Sequence, residues 1–136
     1  MATSTILVTG ATGKTGRRIV ERLADTQHEV YASELELTHP EWGFQGHPDR
    51  VGLVAGKLAV VDWKYTDGPD LKGGRYQLAA YKLLVEASPR GWKIDEVYLV
   101  QLSPTGKGYR MHRLTDVNAE QVAQAAVIVW RAREER

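Results

Sequence analysis

Residues 49–65, DRVGLVAGKLAVVDWKY, contain the pattern that decides the fold. Two apolar-rich runs, 49–54 and 57–65, flank the dipeptide Ala55-Gly56. Two such runs joined by a two-residue turn that contains glycine are typical of a β-hairpin. The segment 58–61 is entirely apolar, which predicts that the second strand is buried inside a sheet.

Polar residues follow this apolar segment. Because side chains alternate between the two faces of a strand, Asp62 and Lys64 are expected to point to the same face. Asp49, on the first strand of the hairpin, brings a second carboxylate to the same region. Two converging carboxylates are unfavourable unless a cation or a substrate compensates their charge, and carboxylate oxygens suit Mg²⁺ or Mn²⁺. For Asp62 and Lys64 taken alone, an ordinary surface ion pair is the alternative.

Further strands and helices are predicted on both sides of the hairpin. The predicted strands are 6–8, 28–37, 96–102 and 109–113, and the predicted helices are 14–24, 75–87 and 117–133. Residues 38–48 and 66–74 are rich in glycine and proline and are predicted as loops. Trp63, opposite Asp62 on its strand, and Trp130 on the last helix are expected to pack in the core. The order of elements predicts a single α/β (α+β) domain over residues 1–136.

Composition narrows the possible functions. With 136 residues, the chain is too short for a two-domain dehydrogenase. It has no cysteine, which excludes disulfides and thiolate metal sites. Its formal net charge of +1 argues against nucleic-acid binding by bulk electrostatics alone. We see no signal peptide and no apolar run long enough for a membrane span, so we expect a cytoplasmic protein without a membrane partner.

Several motifs together resemble the PD-(D/E)xK nuclease superfamily, in particular its RecB-like exonuclease branch found in phages. That family pattern is an upstream Glu, then G-x-x-D, then a hydrophobic strand that ends in D-x-K, then a helix with Q-x-x-x-Y. In this chain the elements fall at Glu34, at 46–49, at 62–64, and at Gln77 and Tyr81. The resemblance implies a restriction-endonuclease-like core in residues 31–136, with a mixed central sheet flanked by helices.

The resemblance also implies a function, a metal-dependent nuclease that hydrolyses DNA. The implied ligands of Mg²⁺ or Mn²⁺ are Glu34, Asp49, Asp62 and the backbone carbonyl of Trp63. The implied catalytic residues are Lys64, which would orient water or stabilise negative charge, Gln77, which would position water or phosphate, and Tyr81, which would support the site. Candidate phosphate contacts are Arg50, Lys72, Arg75 and Lys82. Expected partners are DNA and either further copies of the chain or a larger recombination or repair assembly.

A second motif precedes this core. Gly10, Gly13 and Gly16 lie between a predicted strand and a predicted helix, an arrangement that lets a helix N-terminus approach a pyrophosphate. Residues 1–30 resemble the start of atypical short-chain dehydrogenase/reductases, which implies an extra Rossmann-like βα unit. That resemblance implies that the three glycines bind NAD(P) and that Glu34 recognises its ribose. The alternatives to a nuclease are therefore an NAD(P)- or nucleotide-binding module and an inactive structural chimera, and a turn that merely joins strand to helix is the simplest reading of the glycines.

Overall fold

The hairpin at residues 49–65 forms the centre of a mixed sheet. A computed structural model describes residues 5–8, 29–33, 35–114 and 116–135. In these ranges the strands are Thr5–Val8 (β1), Glu29–Ser33 (β2), Leu37–Thr38 (β3), Gln45–Gly46 (β4), Arg50–Val54 (β5), Lys57–Tyr65 (β6), Glu96–Leu102 (β7) and Tyr109–Arg113 (β8). The helices in the same ranges are Leu71–Glu86 (α1) and Val117–Glu134 (α2).

The main sheet has the strand order β1-β2-β5-β6-β7-β8. The predicted hairpin is confirmed, with β5 antiparallel to β6 and Val51 opposite Val60. The helix α1 connects β6 to its parallel neighbour β7, and β8 returns antiparallel to β7. At the other edge β1 runs parallel to β2, and β2 runs antiparallel to β5. The mixed α/β class predicted from the sequence is therefore confirmed.

One face of this sheet is packed against α1. Val51, Val60, Leu78, Val85 and Leu99 are buried together in the core between the helix and the sheet. The helix lies close to β7 because Gly74 has no side chain: a Cβ at that position would stand 2.6 Å from Cδ1 of Leu99. The backbone register places Asp62 beside Leu99 on this same covered face.

The second helix packs on the first. Ala79 of α1 and Ala119 and Ala123 of α2 form a small buried cluster between them. Ion pairs reinforce the contact, with Arg75 bound to Asp116 and Lys82 bound to Glu120. Neither helix in the described part of the chain is long and apolar enough to cross a membrane.

Two elements were predicted with the wrong bounds. The helix α1 begins at Leu71 and not at residue 75, because the Asp70 carboxylate caps it by accepting a hydrogen bond from the Gly73 N–H at 2.9 Å. The predicted strand 28–37 is interrupted, and its last residue pairs in a separate two-stranded sheet, β3–β4, inside the predicted loop.

The two tryptophan predictions were also wrong. Trp63 is 41% exposed, because it lies on the sheet face opposite to the one that α1 covers. Trp130 is 47% exposed, since the alanines that bury α2 against α1 lie in the first half of that helix. The predicted helix 14–24 lies outside the described residues.

Candidate active site

The hairpin register brings two carboxylates together. Arg50 pairs with Val61 across the antiparallel ladder, so Asp49 and Asp62 are the next residues facing each other at the end of that ladder. Strand β6 holds the Asp49 side chain in place, because Asp49 Oδ2 accepts a hydrogen bond from the Trp63 N–H at 2.8 Å. The carboxylate thereby replaces the backbone group that a longer β5 would have supplied to β6.

Asp62 is a buried acid beside a cation. The residue is only 3% exposed. The Lys64 ammonium nitrogen lies 2.8 Å from Asp62 Oδ2, as expected for residues that share one face of β6. The contact is an ion pair, so Lys64 offsets part of the charge of this buried carboxylate. Asp49 adds a second negative charge beside it, which leaves the pair of carboxylates with one facing ammonium.

The electrostatics of the pair reflect this arrangement. Burial raises the pKa of the Asp62 carboxyl, and the neighbouring Asp49 raises it further against the opposing effect of the Lys64 ammonium. The pKa of Lys64 is raised in turn, chiefly because its ammonium is held by Asp62. A second positive charge at this position would stabilise both carboxylates in their ionised form.

Helix α1 adds an aromatic hydroxyl to the same region. Gln77 and Tyr81 lie one turn apart, and Gln77 Nε2 donates a hydrogen bond to Tyr81 Oη at 3.0 Å. Burial raises the pKa of the Tyr81 hydroxyl, and the negative charges of Asp62 and Asp49 add to the rise. The structure therefore brings Asp49, Asp62, Lys64, Gln77 and Tyr81 into one neighbourhood.

Close packing against α1 explains why the G-x-x-D motif has a glycine at position 46. A Cβ at Gly46 would stand 2.9 Å from Cε1 of Tyr81 and 2.6 Å from Cδ1 of Leu84. The strand β4 can pass beside α1 only with glycine at this position. Gly46, three residues before Asp49, thus leaves the space in which the Tyr81 ring packs.

The predicted phosphate contacts lie elsewhere. Arg75 and Lys82 are engaged with α2, through Asp116 and Glu120. Arg50 lines an apolar cavity of about 340 Å³ on the opposite sheet face, together with Trp63 and Met111 among others. Lys72 is exposed in the first turn of α1. The structure does not gather these four cations around the carboxylates.

Sequence reasoning missed two polar residues beside the site. Gln101 of β7 is level with Lys64, and its Nε2 donates hydrogen bonds to the carbonyls of Thr66 and Asp67, both at 3.0 Å. His112 of β8 is level with Leu99 and so with Asp62, and its Nε2 lies 3.1 Å from Gln101 Oε1. Gln101 shares its face of β7 with Val97 and Leu99, and a polar residue on this otherwise apolar face was the available signal.

Asp49 and Asp62 are the described residues that fit a divalent cation. Their oxygens are the ligand type that such cations prefer, and the two carboxylates face each other at the end of the β5–β6 ladder. No group of three His, Cys, Asp or Glu side chains suited to a metal occurs among the residues that the structure describes. Glu34, the third predicted acidic ligand, lies outside those residues, as do Gly10, Gly13 and Gly16.

The crystal structure of SSO0001 is similar over 83% of this chain, with a TM-score of 0.44 and 15% sequence identity. The chain spans 56% of the length of that protein. No curated protein matches the chain.

The family comparison covers nearly the whole sequence. The model of the PD-(D/E)XK nuclease superfamily matches residues 7–135. This range includes the glycine-rich segment, and the comparisons give no support to the resemblance of that segment to dehydrogenases. The mixed sheet with its flanking helices agrees with the restriction-endonuclease-like fold implied by the D-x-K motif. The chain therefore belongs to the PD-(D/E)XK nuclease superfamily.

Proposed function

We propose that this chain hydrolyses DNA phosphodiester bonds with the help of a divalent cation, Mg²⁺ or Mn²⁺, bound at Asp49 and Asp62. The observation that supports this most strongly is the position of Asp49 directly opposite the buried Asp62 at the end of the β5–β6 ladder. A second carboxylate next to it raises the pKa of Asp62, which makes the pair unfavourable without a further positive charge.

The proposed ligands are Asp49, Asp62, the backbone carbonyl of Trp63, and Glu34. The Trp63 N–H already points to Asp49. Because the N–H and C=O of one strand residue point to the same side, the Trp63 carbonyl is directed to that side too. Glu34 joins the proposal because it directly follows Ser33, which pairs with Arg50 next to Asp49. A bound cation of this kind polarises a phosphate and makes a water molecule more acidic.

Lys64 is proposed to stabilise negative charge on the phosphate as it develops. Its ammonium is held at 2.8 Å from Asp62 Oδ2, while the side chain stays 39% exposed. It is therefore oriented by the site and open to a substrate. The raised pKa of Lys64 keeps it positively charged at neutral pH. A preorganised cation at such a position stabilises a transition state more effectively than a mobile one.

Gln77 and Tyr81 are proposed as positioning residues. The amide of Gln77 donates to the Tyr81 oxygen, so the hydroxyl proton of Tyr81 remains available for an acceptor in the site. The raised pKa of Tyr81 keeps that proton in place at neutral pH. Both residues would hold water or phosphate in place beside Lys64.

Other parts of the proposal concern binding and assembly. Lys72 is exposed and stays a proposed phosphate contact, whereas Arg75 and Lys82 would have to leave their partners on α2 to bind phosphate. Arg50 would contact DNA only from the opposite sheet face. Action as one cytoplasmic domain, and assembly with further copies or a repair complex, also belong to the proposal.

Cleavage of labelled linear DNA tests the proposal. The wild type is compared with Asp62→Asn and Lys64→Ala, in Mg²⁺, in Mn²⁺ and in EDTA, on single-stranded and double-stranded substrates. We expect cleavage only with metal, and a loss of roughly 100-fold or more in each variant. Glu134→Gln and Lys93→Ala are the matched controls, because they change exposed charges outside the site. Equal cleavage by the wild type and both site variants would refute the assignment.

A further inference from the structure

The turn between β7 and β8 forms a polar cavity beside the candidate active site. Its volume is about 290 Å³, and its lining includes Asp67, Gln101, Ser103, Lys107 and Arg110. The function assigned above uses none of these residues. The size is ample for a phosphate group with part of its sugar.

The sheet register connects this cavity to Lys64. Lys64 pairs with Gln101, and Gln101 pairs with Arg110, so the three residues form one row across β6, β7 and β8. Paired residues share a face, which here is the face of Asp62. Since neighbouring strands lie about 4.8 Å apart, the backbones of Lys64 and Arg110 are separated by about 10 Å. A nucleic-acid strand lying at Lys64 would therefore reach Arg110 within a short run of nucleotides.

The cavity carries unpaired positive charge. Lys107 and Arg110 make no ion pair with any acidic residue in the part of the chain that the structure describes. One carboxylate, Asp67, lies on the same lining, so two cations face one anion. In contrast, Arg75, Lys82 and Arg113 all have acidic partners.

Hydrogen bonds fix the walls of the cavity. Gln101 ties the loop after β6 to β7 through the carbonyls of Thr66 and Asp67. The Tyr65 hydroxyl donates to the carbonyl of Pro104, which anchors the turn to the end of β6. Gly108 has a φ of +95° and open space where a Cβ would lie, so the backbone there is accessible to a ligand. The cavity is thus preformed.

From these features we infer that the cavity is a subsite for phosphates of the DNA strand that flank the scissile bond. Lys107 and Arg110 bind these flanking phosphates. The inference rests on the proposed function, because it takes the scissile phosphate to lie at Lys64. It adds a second binding position for the strand, on the β8 side of the site.

Fluorescence anisotropy of a labelled twelve-nucleotide oligothymidylate tests the subsite in EDTA, where no cleavage occurs. The double variant Lys107→Ala/Arg110→Ala is compared with Lys93→Ala/Arg133→Ala, which removes two exposed charges elsewhere. We expect the first pair to weaken binding roughly tenfold at low salt and to lower the log–log salt slope by about 1.4, for two single-strand phosphate contacts. The control pair should retain most of the affinity and slope. Equal affinities and slopes for the two double variants, or no measurable binding by the wild type at low salt, would overturn the subsite.

Because this readout is made without metal, it stands apart from the cleavage assay. Unchanged binding in Lys107→Ala/Arg110→Ala refutes the subsite even if Asp62→Asn abolishes cleavage. A wild type that never cleaves refutes the proposed function.

Discussion

The backbone N–H of Trp63 donates a hydrogen bond to Oδ2 of Asp49 at 2.8 Å, and this bond joins the two strands where their backbone ladder ends. It holds one carboxylate beside the other, Asp62, which is buried. The bond therefore has both a structural and an electrostatic effect, because it completes the hairpin and fixes a second negative charge next to the first.

Substitutions at Asp49 separate these two effects. Asp49→Asn keeps an oxygen that accepts from Trp63, so we expect a fold about as stable as the wild type but without metal-dependent cleavage. Asp49→Ala removes the acceptor and should also lower the free energy of unfolding by about 1 kcal/mol. Urea denaturation of both variants in EDTA measures the difference. Equal destabilisation by Asn and Ala would contradict a structural role for the hydrogen bond.

Neutralising Asp62 should stabilise the protein in the absence of metal. The pKa of Asp62 in the folded state is raised above its ordinary value of 3.8, so its ionised form disfavours folding. This unfavourable contribution is fully present above the folded-state pKa and disappears as the pH falls below 3.8. We expect Asp62→Asn to have the higher Tm at pH 7 in EDTA, with a smaller gap in acid. A lower Tm at pH 7 would contradict the account.

Metal should stabilise the wild type by linkage. A cation that binds the folded state at 100 times its Kd adds about 2.7 kcal/mol to the free energy of unfolding. We therefore expect Mg²⁺ or Mn²⁺ to raise the Tm of the wild type and EDTA to reverse the rise. Asp62→Asn should show little response to either ion, whereas Glu134→Gln should respond like the wild type. A response of Asp62→Asn as large as that of the wild type would place the metal elsewhere.

Gly46 should be intolerant of a side chain. A Cβ there would meet Leu84 at 2.6 Å and Tyr81 at 2.9 Å, so Gly46→Ala should reduce the free energy of unfolding by about 1–3 kcal/mol and displace Tyr81. Gly68→Ala is the matched control, since a Cβ at Gly68 meets no atom within 4 Å. Denaturation together with the cleavage rate measures both consequences. Equal stability of the two variants would show that β4 can move away from α1.

Glu96 gives a pH test outside the candidate site. This buried carboxylate pairs with Arg113 and Lys57, and the hydrogen bond from Arg113 is the main reason that its pKa lies below the ordinary value of 4.5. Its stabilising contribution is present above pH 4.5 and is lost as the pH falls through the folded-state pKa. Thermal melts from pH 7 to pH 3 should show the wild type above Glu96→Gln at neutral pH and converging with it in acid. A gap that does not change with pH would argue against this ion pair.

The hairpin and most of the candidate site were predictable because they depend on local sequence. Alternation along β6 places Asp62 and Lys64 on one face, and the two-residue turn sets the register that aligns Asp49 with Asp62. The helical spacing of Gln77 and Tyr81 predicts their contact equally well. Each of these relations joins residues that are close in sequence or linked by a tight turn.

Features that depend on packing between distant segments were not predictable. Gly73 and Gly74 suggest a loop, yet both lie in α1, because Asp70 caps the helix before them. Glycine is needed at position 74 because Leu99 leaves no room for a side chain there. The charged ends of Arg75 and Lys82 were expected to bind DNA phosphates. Instead they pair with acidic residues at the start of α2, about 40 residues further along the chain. The roles predicted for Glu34 and for the three N-terminal glycines remain predictions, since those residues lie outside the described part of the chain.

The Asp49–Asp62 pair is the proposed binding site of the divalent cation on which DNA cleavage depends. The most direct measurement is a Mn²⁺ titration of the cleavage rate for the wild type and for Asp62→Asn, with the Tm of each recorded in the same buffer. We expect a saturable, Mn²⁺-dependent rate for the wild type and almost no cleavage by Asp62→Asn at any Mn²⁺ concentration. We also expect that variant to be folded and to have the higher Tm without metal. A folded Asp62→Asn protein that cleaves DNA with the wild-type dependence on Mn²⁺ would contradict this assignment.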